Sequence, residues 1–193
     1  MDYTKLSLAQ VRSGLDTMAR DTLATFGSLD ARQLNWRPDA TRWSVAQCFE
    51  HVLTANRLMF AAADAALDET QPRTIWQRLP ITPGLFGRML VRSQAPDTTR
   101  KFTAAPQAQP ATSDIAADII SRIVEQHRNA IAWVDRVDEG RAARTIMTSP
   151  FIRVITYSVL DGLRLMVAHD HRHFRQAQHV TQSSGFPQER SVS

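Results

Sequence analysis

Cysteine is nearly absent from this chain, with Cys48 alone among 193 residues. An intrachain disulfide and a four-cysteine zinc site are therefore excluded, and a reducing cytoplasm is the expected setting. Long apolar runs are missing too. No stretch approaches the roughly 20 apolar residues that span a bilayer, so no membrane partner is expected. The first residues, MDYTKLSLAQVRSG, lack the basic start and apolar stretch of a secretory signal. Strand signals are scarce, and neither G-x-G-x-x-G nor G-x-x-x-x-G-K-[ST] occurs. A charge block of one sign is also lacking. The net charge is +4 and the basic residues are almost all arginine, but they are scattered and interleaved with carboxylates. That pattern is a solvated mixed surface, and no nucleic-acid partner is expected.

What is present is helical periodicity, in a length that suits one domain over residues 1–193. Four long segments carry it. The first runs from about Leu6 to Phe26, with Leu8, Val11, Leu15, Met18 and Leu23 on its apolar side and Gly27 and Ser28 closing it. The second starts at Ser44, where Trp43-Ser44-x-x-Gln47 reads as a capping box with an apolar staple residue, and continues to about Leu67. Ser44, Gln47, Cys48, His51, Ala55, Leu58 and Ala62 share its inward face. The third is expected over Ser113 to Val137, with His127 among its apolar positions. The fourth starts near Ser158, whose spacing to Asp161 is a second capping-box pattern, and runs past Val180.

Between the second and third helices, residues 68–111 are punctuated by Pro72, Pro80, Pro83, Pro96, Pro106 and Pro110, leaving room only for a short helix over Leu85–Ser93. A connection of that length usually covers a site or pairs subunits. The expected fold is all-α, a four-helix bundle with a long proline-rich crossover between helices 2 and 3.

The fourth helix carries the chemistry. His169 and His173 stand four residues apart in VAHDHRHFRQAQHV, on the stripe of Gly162, Leu165, Met166, Gln176 and Val180. At that spacing two imidazoles lie roughly 5–6 Å apart on one face and can converge on a metal ion. The pair has the spacing of HExxH, but Asp170 stands where that motif has glutamate. His171 lies about 200° around the helix from His169, so it and His179 are expected at the surface. A third ligand must come from elsewhere, and His51, inward on the second helix, is the candidate.

A Trp-Ser-led helix bearing this histidine, WSVAQCFEHVLTANRL, followed far downstream by His-x-x-x-His-x-x-Gln, resembles the DinB-like superfamily of four-helix metalloproteins. The stretch SPFIRVITYSVLDGLRLMVAHDHRHFRQAQHV resembles that family's last helix and its approach. The resemblance implies a divalent metal, zinc or nickel most often, held by His51, His169 and His173. It also implies a metal-dependent enzyme acting on a small molecule by thiol S-transfer or hydrolysis, with a low-molecular-weight thiol as a further cofactor in some members. Three neutral ligands would leave an open position for a water or a thiolate, and the residues do not choose between them.

The remaining candidates have bland readings beside the sharp ones. Gln176, His127 and Cys48 could stand behind or complete the site, or could be a helix-lining amide, a satisfied core histidine and an apolar filler. Glu50 and Asp170 point roughly 100° away from the ligands next to them; either could accept a hydrogen bond from behind the site, though solvated or salt-bridged carboxylates are expected there. No catalytic base is singled out. The alternative function is a non-catalytic stress-response or binding module, its metal site structural or vestigial and closed by His127 or Cys48. A homodimer is a further expectation.

Overall fold

A computed structural model describes residues 1–68, 70, 75–78, 82–96 and 103–188. It is a helical bundle with one small ribbon. The long helices are α1 (Leu8–Phe26), α3 (Val45–Leu67), α5 (Ile119–Val134) and α7 (Val159–Thr181). Shorter helices are α2 (Ala31–Asn35), α4 (Thr82–Gln94) and α6 (Glu139–Arg144). In the bundle α1 and α3 each pack against both α5 and α7. The crossover contributes α4, which lies on α7, and a single helical turn at Pro106–Ala108. Pro72 and Pro80 of the crossover lie outside the described residues.

Helix starts follow their caps. The Ser44 hydroxyl accepts from the Gln47 backbone N–H, and the Gln47 side chain accepts from the Ser44 N–H, the reciprocal pair that satisfies two otherwise orphaned donors. At α7 only half of the expected box forms. Ser158 accepts from the Asp161 N–H, while the Asp161 carboxylate takes Arg164 instead. The third long helix begins later than its periodicity predicts, at Ile119 rather than Ser113. Asn35 is the reason: its side chain accepts from the Ile115 N–H and donates to the Ile115 carbonyl, removing both groups from a helical ladder. The short crossover helix is longer than expected, because Pro83 falls in its first turn, where no N–H is required.

The two-stranded antiparallel ribbon, β1 (Ile146–Thr148) with β2 (Thr156–Ser158), was not expected. Three-residue strands are too short to show alternation. Met147 and Tyr157, opposite each other, are both buried, and the Tyr157 hydroxyl reaches the Met59 sulfur at 3.5 Å. Gly162 lets the ribbon close on α7, since a Cβ there would stand 2.8 Å from the Met147 sulfur.

The apolar core is divided. One part contains Leu15, Met59, Ala130, Val134, Met166 and Ala168. The other contains Phe26, Cys48, Phe49, Ile119, Ile123 and Phe174. Between them, on α3, α5 and α7, lie the buried polar residues Asn56, His127 and Asp170. No helix among the described residues is long and apolar enough to cross a membrane.

Candidate metal centre

His51 comes from the second turn of α3, and His169 and His173 come from successive turns of α7. Packing of these two helices brings the three rings together. One nitrogen from each lies within 4.8 Å of the others, and Nε2 of His51 is 3.1 Å from Nε2 of His169. Tetrahedral ligands with bonds of roughly 2.0–2.1 Å to nitrogen stand about 3.3 Å apart, so the donor set fits a small divalent ion. His51 and His173 are buried and His169 half-buried. Among the described residues no fourth histidine, cysteine or carboxylate joins the group.

The electrostatics keep lone pairs available. Burial, then the neighbouring His169, push the His51 pKa down to about 4, against the opposing pull of the Ala108 carbonyl. Burial, then His169 and His51, hold His173 well below the ordinary imidazole value. Both rings are therefore neutral near pH 7, the form that can bind a metal.

Each ring's orientation has a cause. Nδ1 of His51 donates to the carbonyl of Ala108, 2.5 Å away, which turns Nε2 toward His169. Ala108 belongs to the crossover, and α3 grips that segment twice more. Gln47 donates to the Ala111 carbonyl, and Glu50 accepts from the Ala111 N–H at 2.6 Å. The crossover thus forms one wall of the site. Trp43 forms another: its ring stacks on His173 with planes 24° apart and centroids 5.8 Å apart, and lies 5.0 Å from His51. The expected staple residue leans past the first turn of its helix onto the histidines.

Asp170 takes the paired rather than the solvated form of its two expected readings. It is 3 % exposed, not solvated. Its Oδ2 accepts from Asn56 at 3.0 Å and from His127 Nε2 at 2.9 Å. Its Oδ1 is buried without a hydrogen-bond partner and stands 3.8 Å from Nδ1 of His169. Burial pushes the carboxyl upward, but the His127 and His169 interactions outweigh it and hold the pKa below its ordinary value. Sequence periodicity left the role of this residue open between a solvated carboxylate and an acceptor behind the site, because the partners that bury it come from α3 and α5.

The other candidates separate clearly. His127 is buried against Asp170, one residue removed from the three rings. Cys48 lies in the apolar core beside Phe49 and Ile119, where burial pushes its thiol up, so it does not enter the group as a thiolate. Gln176 is half-buried one turn beyond His173 and interacts with that ring. His179 is exposed. His171, expected at the surface, is half-buried, and its Nδ1 lies 3.1 Å from the Tyr3 hydroxyl because the N-terminal turn at Tyr3–Lys5 packs on α7.

A mostly helical bundle with a three-histidine group, two of its rings buried, between its second and last long helices defines a class of candidate metalloproteins. Within that class the chain belongs to the DinB superfamily: the DinB_2 family model matches residues 15–177, a span that includes all three histidines. No curated protein and no solved structure matches it.

Proposed function

We propose that this protein binds one divalent ion, zinc or nickel, through His51, His169 and His173, and uses it to transfer a thiol to, or to hydrolyse, a small molecule. The observation that carries the proposal is the convergence of three imidazole nitrogens, two of them on rings kept neutral by burial. When bound, such an ion supplies Lewis acidity, which lets a water or a thiol lose its proton near neutral pH.

The chain's own residues set up the rest. Ala108 fixes the tautomer of His51, and Asp170 stands behind His169 to accept its outer N–H as the ring settles. Trp43, which stacks on His173, and Gln176 also line a surface cavity, a direction from which a small molecule could approach. With three protein ligands and neither His127 nor Cys48 in reach, an open coordination position is the better reading, and that favours catalysis over a closed structural site.

The test is elemental analysis of gently purified protein, with about one divalent ion per chain expected. His173→Ala should remove most of that metal while leaving the helical circular-dichroism spectrum unchanged. Equal metal content in the variant would defeat the proposal. Incubating the zinc-loaded protein with small thiols plus an electrophile, and separately with esters and amides, distinguishes transfer from hydrolysis.

A further inference from the structure

Three side chains in the polar layer between the two parts of the core meet at one carboxylate. Asn56 on α3, His127 on α5 and Asp170 on α7 are each 3 % exposed or less. The Asn56 amide and His127 Nε2 both donate to Oδ2 of Asp170, at 3.0 and 2.9 Å. Because α5 and α7 each pack on α1 and α3, the His127 bond reaches across the interior of the bundle. Nδ1 of His127 is buried and has no partner among the described residues, so the tautomer that the geometry selects carries its proton on Nε2, where the carboxylate accepts it.

The two oxygens of Asp170 are treated unequally. Oδ2 takes both donors, while Oδ1, likewise buried, has no partner among the described residues and stands 3.8 Å from Nδ1 of His169. Buried polar atoms are overwhelmingly hydrogen-bonded, so an orphaned carboxylate oxygen needs a reason. A layer that served only to fix helix register would do better with donors on both oxygens. The terminal torsion of an aspartate is soft, and Asp170 leaves its helix about 100° around from His169, so its plane must be set from outside α7. Two donors from two other helices, in a layer closed to solvent, fix that plane and leave Oδ1 toward His169. The other nitrogen of His169, Nε2, faces His51 at 3.1 Å. The nitrogen beside Asp170 is therefore the one turned away from the centre of the histidine group.

We infer that His127 and Asn56 are positioning residues for the histidine centre: by holding Oδ2 of Asp170 they aim Oδ1 at Nδ1 of His169, keep that ring's proton on Nδ1 and leave Nε2 free to bind a metal ion. The inference rests on reading that centre as a metal site. It brings in α5, which supplies none of the three histidines, as an element that sets the centre.

The experiment measures zinc affinity by chelator competition and reads the His169 ring by imidazole nitrogen NMR. It compares wild type, Asp170→Asn, His127→Leu, His127→Gln and the Asp170→Asn/His127→Leu pair. Zinc-loaded wild type is expected to carry the His169 proton on Nδ1. His127→Leu should lose about tenfold in zinc affinity, the lower end of what an outer partner of a ligand contributes, and should shift or weaken the His169 Nδ1–H signal. His127→Gln, whose amide can still donate to Oδ2, should recover most of the affinity and the signal. The pair should lose no more than Asp170→Asn alone, because His127 acts through the carboxylate. Losses that multiply in the pair overturn the inference, as do an unchanged affinity and His169 signal in His127→Leu. Equal losses in His127→Leu and His127→Gln overturn it also, since the ring would then matter for its packing and not for its donor. If His127→Leu lacks the native circular-dichroism spectrum, Asn56→Ala takes its place, with a smaller loss expected and the same non-additivity with Asp170→Asn. Wild type that takes up no zinc would refute the metal reading instead. The His169 tautomer in metal-free wild type and His127→Leu then decides the positioning role, and the same tautomer population in both overturns it.

Discussion

Asp170 sits beside the candidate ligand His169 in sequence and behind it in space. A buried carboxylate costs several kcal/mol of desolvation unless it is well partnered, and here one oxygen has two partners while the other faces His169. That arrangement suits an outer-shell acceptor, whose loss typically weakens metal affinity 10–100-fold. Asp170→Asn is therefore expected to lower zinc affinity by roughly that factor in a chelator competition assay. Unchanged affinity would make Asp170 a structural partner of His127 only. The histidines also predict a pH dependence. Folding lowers the pKa of His51 to about 4 and that of His173 well below its ordinary value, so the unfolded chain binds more protons in acid. Stability of the metal-free protein is fully present above about pH 6.5 and falls as pH drops toward 4, by up to about 1.4 kcal/mol per pH unit for each ring. Asp170, with its pKa lowered, adds its own loss only below the ordinary carboxylate range. Thermal melts of metal-stripped protein from pH 7.5 to 5 measure this, and a flat profile would show that the rings are not held neutral.

Helix α3 joins its own start to the site. The Ser44–Gln47 box caps it, and the same Gln47 then reaches across to hold the crossover at Ala111, three residues from the carbonyl that orients His51. Ser44→Ala should cost about 1 kcal/mol, a typical N-cap loss, and lower the melting temperature by about 2–4 °C for a chain of this size. A drop within error in a calorimetric scan would show that Gln47 and Trp43 hold the start without the hydroxyl. At this scale most of the architecture is legible in the residues. The four long helices, the capping box and the inward face bearing His51 all follow from spacing, because a helix imposes its period on the chain locally. The late start of α5 was not legible, since it depends on Asn35, eighty residues upstream and held in a different element. The β1–β2 ribbon escaped for another reason: three residues a side are too few to show a period.

Across the whole molecule the core is split by a polar layer, and the histidine group lies on that layer at the side closed by the crossover. The family match over residues 15–177 accords with a site whose three donors come from two helices more than a hundred residues apart. The proline-rich segment was expected to cover a site or pair subunits, and its Ala108 and Ala111 hydrogen-bond to α3 at and beside His51. What the residues by themselves determined is the helical class, the inward placement of His51 and the His169–His173 pair, because 3.6-residue periodicity is a property of the chain alone; Leu23, expected on an apolar face, is exposed. What only the tertiary structure decided is which faces meet. That meeting buries Asp170, places His127 behind it and removes Cys48 to the apolar core. Such outcomes depend on contacts between distant segments, and no local spacing encodes them.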